Sequence, residues 1–177
     1  MTEAIPPPEF SRTLALDLIL PAGTAMTVAA DPAECAAVAA RLQLPRIDAL
    51  TCRYTLTRVG RGPAVEAKGL LEARVTQICV RTLEAFDSSL RRAFSIRFVP
   101  EGLEDDAGDD PEADDEIPYA GNEIDLGEAT AEQLAIELDP YPHKPDAALP
   151  VDLIEDDGTE AGPANPFAAL GGVPRPN

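Results

Sequence analysis

Between residues 46 and 99 the chain alternates apolar and polar side chains with few breaks. A period of two leaves little but a β-sheet for the middle of the protein. Residues 46–59 read as one long strand, with Leu50, Cys52, Tyr54 and Leu56 on one face and Thr51, Arg53, Thr55 and Thr57 on the other. Gly60-Arg61-Gly62-Pro63 supplies the turn chemistry of a hairpin. A second strand runs from Ala64 to about Val80, its buried face carrying Val65, Ala67, Leu71, Ala73 and Val75. Gly69 falls on that face and marks either a bulge or a close backbone approach. Leu83–Val99 reads as a third strand, strongest at Phe94, Ile96 and Phe98. Three consecutive strands with polar outer faces predict an antiparallel meander.

The flanks supply the helices. Residues 1–10 read as a flexible, Pro-rich lead, and LALDLIL as a strand with Leu14, Leu16, Leu18 and Leu20 on one face. A short strand follows at Ala25–Ala29. Asp31-Pro32-Ala33-Glu34 opens a helix: Asp31 caps the free amides, Pro32 suits the first helical position and Glu34 completes a capping box. Ala36, Val38, Ala39 and Leu42 give it an apolar side, and it stops near Leu44-Pro45. Asp125-Leu126-Gly127-Glu128 is a second capping box, with a helix to about Leu138 buried through Leu126, Leu134, Ile136 and Leu138, helped by Ala131 and Ala135. Asp139-Pro140 ends it. The expected fold is α+β: one domain over residues 11–145, an antiparallel sheet packed by helices near 32–43 and 126–138.

Charge separates two segments from that domain. Ten of the sixteen residues in 101–116 are acidic and only Leu103 is apolar enough to bury, so this stretch reads as a self-repelling, disordered loop. Residues 146–177 read as a mostly irregular Pro/Gly-rich tail, with Asn165-Pro166-Phe167-Ala168-Ala169-Leu170 as its one ordered-looking patch. The whole chain carries a formal net charge of −18. Such a surface repels phosphate backbones at long range and suits basic partners, although solubility alone also accounts for it. The start has no basic region followed by an apolar one, and no run reaches a membrane span. With three scattered thiols, Cys35, Cys52 and Cys79, a reducing, cytoplasmic setting is expected.

Little in the sequence points to a reactive centre. His143 stands in the proline-rich PYPHKP with no nucleophile near it in sequence, and reads as an exposed histidine. The cysteines lack the paired spacing of a zinc site and read as small buried hydrophobes. The acids of 101–116 do not fall in the register of a calcium loop. Phosphate-loop, dinucleotide and nucleophile-elbow glycine motifs are absent. No catalytic residue, cofactor or metal is expected.

Three segments carry a resemblance. The first is Thr76-Gln77-Ile78-Cys79-Val80-Arg81-Thr82-Leu83-Glu84-Ala85-Phe86, after GLLEARV. The second is Glu123-Ile124-Asp125-Leu126-Gly127-Glu128, continuing into AEQLAIELDPYPHKP, and the third is NPFAAL. Their order, with an acidic gap before Ile124-Asp125-Leu126, resembles the YceD-like proteins, a bacterial and plastid family also called domain of unknown function 177, over about residues 14–170. The resemblance implies a part in accumulation of large-subunit (23S) ribosomal RNA, in the manner of an assembly factor, and implies no enzymatic activity. Many members carry C-x-R-C-L at the first motif. Here Cys79, Arg81 and Leu83 match and Thr82 replaces the second cysteine, which argues against a metal or redox role.

Cys79, Arg81, Asp125, Tyr141, Pro142, Lys144 and Pro145 are the candidate partner contacts, the last four because an extended Pro-Tyr-Pro stretch loses little entropy on docking. The same stretch is equally consistent with packing on its own domain. The expected partner is a basic ribosomal protein or assembly factor, with large-subunit RNA engaged indirectly and no membrane. Two alternatives remain open: direct RNA binding by a patch of Arg53, Arg74, Arg91, Arg92 and Arg97, or a metal or redox module at Cys79.

Overall fold

The computed structural model describes residues 8–60, 62–103 and 115–145. The chain divides into two units, Met1–Pro145 and Asp146–Asn177, and every described residue lies in the first. The second, with NPFAAL, and most of the acidic stretch fall outside the described residues.

The alternation seen in the sequence becomes β3 (Arg46–Arg58), β4 (Val65–Ile78) and β5 (Ala85–Pro100). With β2 (Thr24–Ala29) they form an antiparallel meander, and β6 (Asp115–Tyr119) joins at the far edge in the order β2-β3-β4-β5-β6. β6 lies parallel to β5, so the sheet is mixed rather than wholly antiparallel. Asp115 and Glu116, read from sequence as the end of a disordered loop, pair with Ile96 and Arg97 as the first residues of this strand. Charge composition concealed them because Asp115 is exposed at the sheet edge and Glu116 pairs with Arg97 of the neighbouring strand at 3.4 Å. Leu50, Cys52, Tyr54, Leu56, Val65, Ala67, Leu71, Ala73 and Val75 are all buried, as the pattern requires. A register shift between Ile47 and Ala49 lets Ile47 join the same face despite its odd number.

Gly69 marks a close approach. The Phe94 ring, on the facing position of β5, occupies the space a side chain at Gly69 would need. Tyr54 completes the group, its ring edge-on to Phe94 at 5.8 Å between centroids.

Both helices cover one face of the sheet. α1 (Pro32–Arg41) has the full capping box: Asp31 accepts from the amides of Ala33 and Glu34, and Glu34 accepts from the Asp31 amide. Cys35, Val38 and Ala39 face the core. In α2 (Leu126–Glu137) Asp125 caps the amides of Gly127 and Glu128, but Glu128 turns away to pair with Arg41 of α1 at 2.8 Å. Its buried side is Leu126, Ala129, Thr130, Ala131, Gln133 and Leu134, whereas Ala135 and Ile136 are exposed. Ile136 sits two residues past Leu134, about 200° further round the helix, so both cannot face the sheet. Among the described residues, no helix is long and apolar enough to cross a membrane.

The start of the chain departs most from the sequence pattern. Phe10, placed in the flexible lead, is wholly buried in the core. LALDLIL is a strand only over β1 (Thr13–Ala15), which pairs with β7 (Glu123–Asp125) in a separate two-stranded sheet. A 3-10 turn at Leu16–Leu18 then redirects the chain, burying Leu14, Leu16 and Ile19 and leaving Leu18 and Leu20 exposed. Asp125 holds this junction: its carboxylate accepts from the Ser11 hydroxyl and from the Arg12 amide as well as from α2.

Candidate functional site

The second and third long strands end earlier and start later than the alternation suggests, and the residues between them form a structured turn. Val80, Arg81, Thr82 and Leu83 belong to this turn. The Cys79 amide donates to the Glu84 carbonyl at 2.9 Å and the Leu83 amide to the Cys79 carbonyl at 2.8 Å. Leu83 takes a left-handed backbone, φ 57°. For a residue with a Cβ this conformation costs about 1–2 kcal/mol.

The chain after α2 comes back to the same turn. Asp139 accepts from the Tyr141 amide at 2.9 Å, the side-chain turn expected where a helix stops before Pro140. The Val80 amide then donates to the Pro142 carbonyl at 2.9 Å, and Lys144 pairs with Glu84 at 2.8 Å. That ion pair raises the Lys144 ammonium above its usual range and lowers the Glu84 carboxyl. So Cys79, Arg81, Pro142 and Lys144, chosen from separate sequence motifs, do meet.

Cys79 lies under this crossing. Its side chain is covered, and the Thr82 hydroxyl, then the backbone amides of Lys144, Thr82 and Arg81, point at the sulfur. These donors favour the thiolate and bring the thiol down to about 6, with the Thr82 hydroxyl the largest cause. Thr82, which stands where the resemblance expects a second cysteine, is therefore the main donor to Cys79. Burial acts oppositely on the other two thiols, pushing Cys52 up to about 11 and Cys35 upward. Cys52 faces Leu71 on β4, eight positions from Cys79, or about 26 Å along a strand, so these two thiols form no pair. Among the described residues, no three His, Cys, Asp or Glu side chains cluster as metal ligands.

Around the covered thiol, large apolar side chains are exposed among the charged Arg81, Glu84 and Lys144. Val80 is 45 % exposed, Leu83 77 % and Tyr141 69 %. Pro145 and His143 are exposed beside them. Beneath lies a groove of about 340 Å³ lined by Leu44, Pro45, Ile78, Leu138, Pro140 and Pro142 among others. Sequence reasoning named Tyr141 but missed Leu83 and Val80 as surface groups, because their alternation with polar neighbours mimics a strand. Asp125 does not belong to this end: it stands at the opposite end of α2, about 18 Å away, and its oxygens are taken by the β1 junction.

The five arginines of the sequence-predicted patch divide between two faces. Arg53, Arg74, Arg91 and Arg97 lie on the uncovered face of the sheet, while Arg92 lies on the helix side and pairs with Glu137 of α2 at 3.3 Å. Glu72 sits between Arg53 and Arg91, 3.2 and 3.3 Å from them, and Glu116 faces Arg97 at 3.4 Å.

Comparison with known proteins bears on the half of the chain that builds this end. The family described as large ribosomal RNA subunit accumulation protein YceD matches residues 67–173, more than half of the chain. The chain belongs to the YceD family. The match begins within β4, so it takes in the 79–84 turn, α2 and the 139–145 segment, and it leaves β1–β3 and α1 outside. No curated protein and no solved structure matches the chain.

Proposed function

We propose that this YceD-family protein supports accumulation of large-subunit ribosomal RNA without catalysing a reaction, by docking a basic ribosomal protein or assembly factor on the end of the sheet where the 79–84 turn meets the 139–145 segment. Leu83 carries this reading. It holds a costly left-handed backbone and yet presents 77 % of its surface to solvent, so the strain secures no burial within the chain. Strain of that kind persists where presentation of the side chain is itself useful. Val80 and Tyr141 extend the same apolar surface, and the crossing hydrogen bonds hold it in one shape before a partner arrives. Preorganisation of this sort lowers the entropic cost of docking.

The net charge of −18 favours a basic partner and speeds its approach. Naked RNA is the weaker candidate, because phosphate contacts need uncompensated cations and Glu72 and Glu116 stand against three of the outer-face arginines. The test is affinity capture from cells with wild type, Leu83→Asp and Tyr141→Ala, reading bound proteins and bound RNA at low and high salt. The proposal expects a basic protein captured by wild type and lost from both variants. Equal capture by all three, or RNA retained after the proteins are stripped, refutes it.

A further inference from the structure

β5 is paired with β4 from Ala85 to Phe98, but on its other side β6 pairs only with Ile96–Pro100. Among the described residues, no strand pairs with Ala85–Ser95 on that second side. Every other residue along this stretch therefore turns its amide and carbonyl away from β4, toward an open edge. Sheet edges are normally blunted by proline, bulges, shortness, cover or charged side chains, and of these the described stretch carries only the charges of Asp87, Arg91 and Arg92. Here the register with β4 runs from Ala85 to Phe98 without a shift, and the first proline is Pro100. The edge is a straight template for another strand.

Its charge pattern indicates which strand. We infer that two copies of this chain pair edge to edge through β5, antiparallel about a two-fold axis at Ser89. In that register Asp87 of each copy faces Arg91 of the other, Ser88 faces Leu90, Phe86 faces Arg92, and Ala85 faces Ala93. Asp87 and Arg91 both lie on the uncovered face; Asp87 already accepts from the Thr76 hydroxyl at 2.8 Å and meets Arg46 at 3.5 Å, and Arg91 meets Glu72 at 3.3 Å, but the two side chains are still 75 % and 67 % exposed, so each can take a second, cross-strand contact. The pairing thus forms two Asp–Arg contacts across strands, where opposite charges stabilise and like charges do the reverse. On the helix side the half-buried Leu90 of each copy lies diagonal to Leu90 and Phe86 of the other, with Ser88 and Arg92 in the directly facing positions. Centring the axis on Asp87 or Arg91 instead would set like charges against each other. The paired stretch also ends before Ile96, where β6 takes the edge. The inference is independent of the partner proposed above, since it uses the strand edge and not the turn.

The two-fold register is tested by a cysteine at its axis. Facing residues of an antiparallel pair have Cα atoms about 4.5–5.5 Å apart, within disulfide range. Ser89→Cys is expected to form a disulfide-linked dimer on mild oxidation at about 0.15 M salt, where the net charge of each copy is screened beyond roughly 8 Å. Thr57→Cys, on the same face of β3, is expected to stay monomeric in a denaturing gel. The native thiols do not compete, because Cys35, Cys52 and Cys79 are all buried. By sedimentation equilibrium the wild type is expected to be dimeric. Asp87→Arg should weaken the dimer roughly tenfold by placing arginines opposite each other twice, and Asp87→Arg with Arg91→Asp should restore it. Circular dichroism confirms that each variant is folded. A monomeric wild type, a Ser89→Cys protein that does not cross-link, or a charge swap that fails to rescue would each overturn the inference.

Discussion

Gly127 offers a test in which helix propensity and packing predict opposite signs. It lies in the first turn of α2, where replacing glycine by alanine ordinarily stabilises a helix by up to about 1 kcal/mol. A Cβ at this position would lie 2.7 Å from the Arg12 nitrogen, 2.7 Å from the Phe10 oxygen and 2.9 Å from the Ser11 carbonyl carbon. All three are backbone atoms, so no rotamer change relieves the contact. The segment cannot withdraw cheaply either. Phe10 is wholly buried, the Arg12 amide donates to Asp125 at 2.8 Å, the Leu126 amide donates to the Arg12 carbonyl at 3.1 Å, and the Arg12 guanidinium holds Glu34 at 2.7 Å. Overpacking against such a fixed wall costs about 3 kcal/mol, and the helical gain returns at most about 1, leaving Gly127→Ala less stable by about 2 kcal/mol. For a domain of this size that lowers the melting temperature by about 6–10 °C. Urea and thermal unfolding followed by circular dichroism measure both quantities. A Gly127→Ala protein as stable as wild type, or more so, would show that residues 10–12 do not pack on α2 as described.

Three further outcomes follow from single side chains. The folded Cys79 thiol titrates near 6 against 9.0 for an unperturbed thiol, so the folded state binds fewer protons between these values. Its contribution to stability is complete above about pH 9 and disappears as pH falls through about 6; the stability difference between wild type and Cys79→Ser should widen from pH 6 to pH 9, and a difference independent of pH would refute the thiolate. Tyr54→Phe removes a hydroxyl 2.9 Å from Thr130 and 3.4 Å from the Leu126 carbonyl, to which Thr130 still donates, so the cost should be about 1 kcal/mol in urea unfolding; a loss above about 3 would show that the hydroxyl holds more than these contacts. Leu83→Gly relieves the left-handed backbone and should leave stability unchanged or raise it by up to about 1 kcal/mol, while capture of the partner falls. Destabilisation by more than about 1 kcal/mol would mean that the Leu83 side chain supports the fold itself.

What the sequence made legible were the features governed by neighbours along the chain. The period of two placed the inner faces of β3 and β4, and Asp31 and Glu34 placed the start of α1, because an alternating strand and a capping box are complete within a few residues. What it hid were features that need a distant partner. Phe10 looked like part of a mobile lead because the core that buries it is assembled from residues far along the chain. Asp115 and Glu116 looked like loop because only pairing with β5 makes them a strand. The candidate site shows the same division. The Cys79, Arg81 and Pro142–Lys144 motifs were visible, but that the two segments cross, with Val80 bound to Pro142 and Lys144 to Glu84, depends on contacts some sixty residues apart.

The Lys144–Glu84 pair of that crossing is one instance of where the scarce cations go. The chain has 14 Lys and Arg against 32 acids, and among the described residues most of these cations pair with an acid. Arg12 clasps Glu34, Arg41 bridges Glu9 and Glu128, Arg92 reaches Glu137, and Lys144 holds Glu84. Each of these links joins segments remote in sequence: the first strand to α1, α1 to α2, β5 to α2, the 79–84 turn to the residues after α2. Exposed pairs contribute little to stability singly, about 0–1 kcal/mol, but they select one arrangement of segments over others. Cations used in this way are not available to phosphates. Under the proposed function, this internal use of the positive charge favours a basic protein over RNA as the partner.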